Sequence, residues 1–427
     1  MEEHLFRLRE MNPRLISLYE IGRTHENRSI VTAKISARQI MPDESWRPFR
    51  GPAIWIDAGV HAREWIAPAT AMILIAALVN GYNSEDVGVR HLVEHVDWYI
   101  TPVLNPDGYE YSHTKNRMWR KNRRPAFCKQ QYFNRICCSG VDLNRNFDWF
   151  WSITGSSADP CHETYHGPSA FSEPESKSVR DFLQVHPVKA FISLHSYSQL
   201  WLLPYGHKKR NYPEDFHTVQ RPLALRAVKA LERLYGTEYQ VGSGADLLYE
   251  ASGSSHDYAK GVLNIPFSFL VELRPQNTLH STGFLLPEAE IMDTADETWE
   301  AIKIVADKML ERYAPLPPIE TSRGRNLMGI TSSTEIDGNE HCSTSTTTPT
   351  TPTPTTSIKT SSNTSTPKTT IKTTRRKNNK NSPSKPTKKT TTTTTTELPT
   401  NQTLIVNTTA ETTTTTLMTS KWVGRGK

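Results

Sequence analysis

The 427-residue chain is poor in cysteine: it has five, and no two form a Cys-x-x-Cys pair. That argues against a thiolate zinc site and a thioredoxin-like dithiol. Nor is there an apolar run long enough to span a bilayer, because the longest, residues 67–79, has the length of a buried helix. No transmembrane segment is therefore expected. The first residues, Met-Glu-Glu-His-Leu-Phe-Arg-Leu-Arg-Glu, lack the apolar core of a secretory leader, and the last six, Trp-Val-Gly-Arg-Gly-Lys, are no hydrophobic anchor signal. The cysteines that exist point the other way. Cys128, Cys137, Cys138 and Cys161 lie close together, with Cys342 apart, a pattern of a small disulfide-stabilised loop region in an oxidising compartment. A secreted or extracellular protein is expected, with its secretion information missing from this chain; the alternative is a protein that stays inside the cell.

Acidic residues are almost absent from the end of the chain. Residues 343–427 hold 13 Lys/Arg and 2 Asp/Glu, so the net charge of +6 divides into +11 there and −5 over residues 1–342. A nucleic-acid-binding globular domain is not indicated. The same stretch is Thr, Ser, Pro, Asn and Lys, with Thr runs at 390–396 and 412–416, and cannot bury enough apolar surface to fold. It reads as a disordered tail, suited by composition to an O-glycosylated stalk. Asn-x-Ser/Thr sequons stand at Asn363, Asn401 and Asn407, with another at Asn27. The expected organisation is a globular domain over 1–314, a linker over 315–342 and the tail over 343–427.

Within 1–314, strand-like and helical periodicities alternate. Residues 52–58, 96–104, 190–194 and 267–273 read as strands, the second ending at an Asn105-Pro-Asp-Gly turn. Residues 64–79, 173–186, 221–235 and 287–312 read as helices. The alternation predicts a single α/β domain with a mainly parallel or mixed sheet flanked by helices. In such sheets functional groups gather at the carboxyl ends of the strands.

Directly after the first of these strands stands Gly59-Val-His-Ala-Arg-Glu-Trp. His61 and Glu64 are three apart, close enough to face one metal ion from a single turn. A catalytic zinc needs a third protein ligand, for which His195, at the end of another strand, is the candidate. A rival pattern, His91-Leu-Val-Glu-His95, matches His-x-x-Glu-His, but its position before a strand reads as a solvent-facing helix. His162 and His166, four apart, are assigned no metal.

The full set is more specific than any of its members. Gly59–Trp65, Pro102-Val-Leu-Asn-Pro-Asp-Gly-Tyr, Met118-Trp-Arg-Lys, Val141-Asp-Leu-Asn-Arg-Asn-Phe, His195-Ser-Tyr-Ser-Gln, Leu248-Tyr-Glu-Ala-Ser-Gly and Val271-Glu-Leu-Arg occur in one chain. In this order and spacing they resemble the pancreatic-type carboxypeptidases of the A/B class, over residues 16–313. The resemblance implies the zinc carboxypeptidase fold, one Zn2+ ion held by His61, Glu64 and His195, and removal of single residues from the C-termini of peptides and proteins. It implies Glu272 as general base, Arg120 as oxyanion donor, and Asn144 and Arg145 as the grip on the substrate's terminal carboxylate. Tyr249 resembles a mobile tyrosine that closes over substrate, Asp142 the carboxylate that orients His61, with a turn cap as its other reading. Arg63, Arg117, Ser196 and Tyr197 are secondary contacts or structural residues. Cys138 with Cys161 resembles a family disulfide, and Cys128 with Cys137 is the expected second one.

His256 falls at the position that floors the specificity pocket, where A-type members carry an apolar residue and B-type members an acid. With Leu202, Leu248 and Leu270 as walls, release of neutral aliphatic or aromatic residues is expected. The protein is expected to be a monomer. The family carries a leader and an inhibitory segment before the catalytic domain, and Met1 falls inside that domain. The rival from another class is a catalytically silent, zinc-binding protein that holds peptides without turnover.

Overall fold

The sequence 53–58, Ala-Ile-Trp-Ile-Asp-Ala, is β-branched and aromatic, and every one of its residues is buried. This is strand β3 (Ala53–Ala58) at the centre of the sheet. The computed structural model describes residues 1–37, 51–131 and 134–314, which lie within one compact unit, Met1–Met328. The linker and tail expected after residue 314, with Cys342 and the sequons at Asn363, Asn401 and Asn407, fall outside the described residues.

Ten strands are described: β1 (Ile16–Arg23), β2 (Ser29–Ile35), β3, β4 (Asp97–Thr101), β5 (Phe127–Gln131), β6 (Asn134–Cys138), β7 (Val188–Ser198), β8 (Leu200–Leu203), β9 (Gln240–Ser243) and β10 (Phe267–Gln276). Eight of them form a mixed sheet in the order β1-β2-β4-β3-β7-β10-β8-β9, and β5 and β6 form a separate hairpin. The four central strands run parallel, so their carboxyl ends share one edge. The helices are α1 (Glu2–Met11), α2 (Ile66–Asn83), α3 (Val87–His95), α4 (Pro106–Thr114), α5 (Pro174–Val185), α6 (Arg221–Tyr235), α7 (Gly244–Leu247), α8 (Ser255–Gly261) and α9 (Ile291–Tyr313).

Alternation along each strand separates two cores. Ile54 and Ile56 of β3, Ile192 and Leu194 of β7, and Phe267, Phe269 and Val271 of β10 pack with α2, α6 and α9. The residues between them turn to the other face, where Trp55 and Phe191 meet Val179 and Phe182 of α5 and Tyr258 of α8. Each fully buried Phe contributes roughly 1.5–3 kcal/mol. Asp57, Ser193, His195 and Glu272 occupy this second face, at the strand ends.

Helix α2 is 18 residues long and apolar enough by composition to cross a membrane. Nine of its residues are buried, packed into the first core. His91 and His95 are exposed on α3. One sequence expectation fails. Asn105-Pro-Asp-Gly is not a turn after β4 but the start of α4, with the Asn105 side chain accepting from the Gly108 N–H and Pro106 in the first helical position. Asn at the cap followed by Pro is a helix-start signal that the dipeptide Asp-Gly conceals. Both disulfides form as expected, Cys128–Cys137 across the β5–β6 hairpin and Cys138–Cys161.

Candidate active site

Chain reversal after β3 delivers His61 and Glu64. Gly59 has φ +64°, where a Cβ would press on Pro68 and on the backbone at Pro102 and Val103, so glycine fits this turn. His61 and Glu64 lie in the turn that follows rather than in a helix. The Ala62 N–H donates to the carbonyl of Arg120, tying this turn to the segment that carries Arg120. His195 comes from β7, and Glu272 lies directly beside it in the parallel register with β10.

Three side chains converge. His61 Nδ1 is 2.8 Å from Glu64 Oε1, His195 Nδ1 is 3.0 Å from Glu64 Oε2, and the two Nδ1 atoms are 3.2 Å apart. With the proton on the remote nitrogen of each ring, the two Nδ1 lone pairs would face each other at that separation, an arrangement that a cation between them relieves. A tetrahedral zinc with ligands at about 2.0–2.1 Å would set its donors about 3.3 Å apart, so the residues fit this metal. All three side chains are buried.

The remote nitrogens are occupied. His61 Nε2 is 3.0 Å from Asp142 Oδ1. His195 Nε2 is 3.0 Å from Ser193 Oγ, which donates to Asp57 Oδ1 at 2.5 Å. This network assigns the proton to Nε2 in both rings and turns both Nδ1 lone pairs to the common point. Burial would raise the Glu64 carboxyl, but the adjacent His61 and His195 imidazoles hold it below the usual carboxylate range.

Asp142 combines the two roles expected as alternatives. Its Oδ1 accepts from His61 and also from the Asn144 N–H at 3.1 Å, capping the short helical turn Leu143–Arg145. Its Oδ2 accepts from Arg120 Nη2 at 2.9 Å and Nε at 3.1 Å. Arg120 Nη1 also lies 4.0 Å from Glu64 Oε1. Glu272 is partly exposed, and burial, then the nearby Glu64 carboxylate, push it up to about 7.

Arg145 is buried, with Nε donating to the Gly155 carbonyl, Nη1 to the Asn144 carbonyl and Nη2 to Tyr249 Oη at 3.2 Å. Asn144 Oδ1 accepts from the Ser255 N–H at 2.9 Å, which fixes the start of α8. Gly253, at φ +79°, packs so closely on the Arg145 backbone that a Cβ would collide with its carbonyl. Tyr249 is 54% exposed. Arg63 is at the rim, donating to Glu163 Oε2 at 3.0 Å and lying 4.5 Å from the Phe284 ring. Arg117 stacks on Trp65 at 3.7 Å and donates to the carbonyls of Arg63 and Phe284. The Ser196 N–H donates to Glu64 Oε2 at 3.3 Å. His256 is buried at the start of α8. Of the expected walls, Leu202 and Leu270 pack together with Leu200 and Leu247, whereas Leu248 is 41% exposed and does not join them. Leu248 lies past the end of the short helix α7, whose last residue, Leu247, takes the inward position.

Sequence reasoning missed Asp57 and Ser193. The available signals were an acid inside a wholly apolar strand and a serine two residues before His195, on the same strand face.

The zinc carboxypeptidase family profile matches residues 1–301. Mouse carboxypeptidase A2 is 43% identical over 297 residues, covering 69% of this chain and 66% of that protein, so the chain spans just under two thirds of this relative's length. Carboxypeptidase B of Astacus astacus is 36% identical over 304 residues, covering 71% of this chain and 92% of that protein. Bovine thrombin-activatable fibrinolysis inhibitor, solved in complex with tick carboxypeptidase inhibitor, superposes with a TM-score of 0.62 at 36% identity, covering 73% of this chain and 95% of that one.

Proposed function

The chain belongs to the zinc carboxypeptidase family, and from that premise we propose that it hydrolyses the last peptide bond of peptides and proteins. The observation that carries this reading is the placement of Glu272 beside His195 in one sheet register, within reach of the His61–Glu64–His195 cluster and of Arg120. His61, Glu64 and His195 would hold the ion. Zinc, when bound, supplies a Lewis acid that polarises water and the scissile carbonyl.

The chain's own groups do the rest. Arg145 and Asn144 take the terminal carboxylate, for which the planar guanidinium offers paired donors. An internal peptide bond presents no such charge, which confines cleavage to the end of the chain. Tyr249, already hydrogen-bonded to Arg145, is exposed enough to swing over bound substrate. Glu272 takes a proton from the attacking water and later delivers it to the departing amine, a cycle suited to a carboxyl raised toward neutrality. Arg120, held by Asp142, donates to the oxyanion that develops on the scissile carbonyl. Arg63 and Ser196 make secondary substrate contacts. Leu200, Leu202, Leu270 and Leu247 favour a neutral aliphatic or aromatic C-terminal side chain. The protein acts as an extracellular monomer with no nucleic-acid partner.

The test is hydrolysis of blocked dipeptides ending in Phe, Leu, Lys or Glu, with zinc and then with a chelator, by wild type and Glu272→Gln. Chelator-sensitive release abolished in the variant supports the reading. A strong preference for Lys would refute the neutral pocket. Absence of turnover by folded, zinc-loaded protein would favour the peptide-binding alternative.

A further inference from the structure

Resting on that reading, we propose that the pocket over His256 selects C-terminal residues whose neutral side chain ends in a hydrogen-bonding group, a phenol or a carboxamide, over their apolar isosteres.

Strand alternation builds this pocket. Ser268, Leu270 and Glu272 are successive residues on one face of β10. Leu270 pairs with Leu202 and Glu272 with Leu200 on β8. These leucines, with Leu247, form a cluster separate from the two main cores. The start of α8 lies against the same face, because Ser268 Oγ donates to the His256 carbonyl at 2.7 Å. The neighbouring Ser255 N–H is fixed by Asn144, adjacent to Arg145. A residue whose carboxylate lies on Arg145 and Asn144 therefore projects its side chain along the leucines toward His256.

His256 is 3% exposed, yet neither ring nitrogen has a hydrogen-bond partner among the described residues, and neither has Ser255 Oγ. Asp257 Oδ1 lies 3.4 Å from Nε2, and Asp257 Oδ2 accepts from the Gly206 N–H at 2.7 Å. Two orphaned polar atoms on one buried side chain call for a partner, since each carries its full desolvation penalty until it finds one. A neutral imidazole offers one donor and one acceptor. A hydroxyl or carboxamide tip complements it in either tautomer, and a hydrocarbon tip leaves it orphaned.

Charged tips fit less well. Burial, with the nearby His195 adding to it, holds His256 down to about 3, so an acidic side chain meets a neutral ring. Burial also pushes Asp257 up to about 7, which weakens it as a counter-charge for a lysine tip.

The experiment uses the full chain loaded with zinc. It compares kcat/KM for the pairs Tyr against Phe and Gln against Met in otherwise identical blocked dipeptides, for wild type, His256→Leu and His256→Gln. Binding of 3-(4-hydroxyphenyl)propanoate against 3-phenylpropanoate is measured by calorimetry on the same proteins. Wild type is expected to favour each polar-tipped partner by about tenfold or more, on the scale at which a site built for a hydrogen bond rejects an analogue lacking it. The ratios should fall to about 1 in His256→Leu and persist in part in His256→Gln. Ratios near 1 in wild type, ratios unchanged in His256→Leu, or Glu as the best residue would each overturn the proposal. If wild type turns over no peptide, the carboxypeptidase reading falls separately. Tighter binding of the para-hydroxyl acid would then still support the pocket, and equal binding would overturn it.

Discussion

Replacing Asp142 with Asn sets two demands against each other. The carboxylate is fully buried and takes four donors, His61 Nε2 and the Asn144 N–H on Oδ1, and two N–H groups of Arg120 on Oδ2. Burial opposes its charge, but the neighbouring charges of Arg120 and Arg145 and the hydrogen bond from His61 hold it well below the usual carboxylate range. Asparagine keeps one acceptor oxygen and gains an NH2. With the oxygen toward Arg120, the NH2 confronts the His61 N–H, which weakens the preferred tautomer, and zinc affinity falls about 10–100-fold. With the oxygen toward His61, the ligand survives, but Arg120 loses its counter-ion in a site only 12% exposed. Breaking a buried pair costs about 3–5 kcal/mol, and the residual exposure of Arg120 places the expected loss near the lower figure. Zinc titration against a competing chelator reads the first loss, and urea unfolding of the metal-free protein reads the second. At least one must move; if both stay within twofold and about 0.5 kcal/mol of wild type, Asp142 does not organise this site.

Arg145→Ala should lower kcat/KM on free-acid peptides by about 10–1,000-fold while leaving the much slower hydrolysis of C-terminally amidated peptides nearly unchanged, because the lost interaction is a charge-assisted hydrogen bond to the carboxylate. Glu175 is pushed up to about 7, first by burial and then by Glu173, whereas Glu173, paired with His25 and Arg124, stays ionised. The unfolded chain therefore loses the Glu175 proton first, and stability falls as pH rises from about 4.5 to 7, by up to about 3 kcal/mol. Glu175→Gln, which mimics the neutral acid, should raise the melting temperature by several degrees at pH 8 and hardly at pH 4.5; equal effects at both would refute the assignment. Cys138→Ser with Cys161→Ser opens a loop of sequence separation 23, which should cost about 3 kcal/mol in denaturant unfolding with little change in zinc affinity.

What the sequence made legible follows the physics of each feature. The central strands announce themselves because burial on both faces leaves continuous apolar runs, as in residues 53–58 and 267–273. Long amphipathic helices such as α6 and α9 show through their period. The edge strands β1 and β9, the four-residue β8 and helix α1 did not, since half-exposed or very short segments carry weak alternation. At the site, the residues proposed to meet the metal or substrate directly were readable because their chemistry restricts their identity. The support beneath them was not. Asp57 and Ser193 matter only because β3 and β7 pair in parallel, with Asp57 opposite Ser193, and no local pattern encodes that pairing. The group Asn122, Glu173, Glu175 and His25, in which all but His25 are buried, is assembled from three separate stretches of chain in the same way. His256 lies between these cases: its place was readable from the residues around it. Its meaning depends on two ring nitrogens left without partners, a property that belongs to packing and that a histidine written in a sequence does not carry.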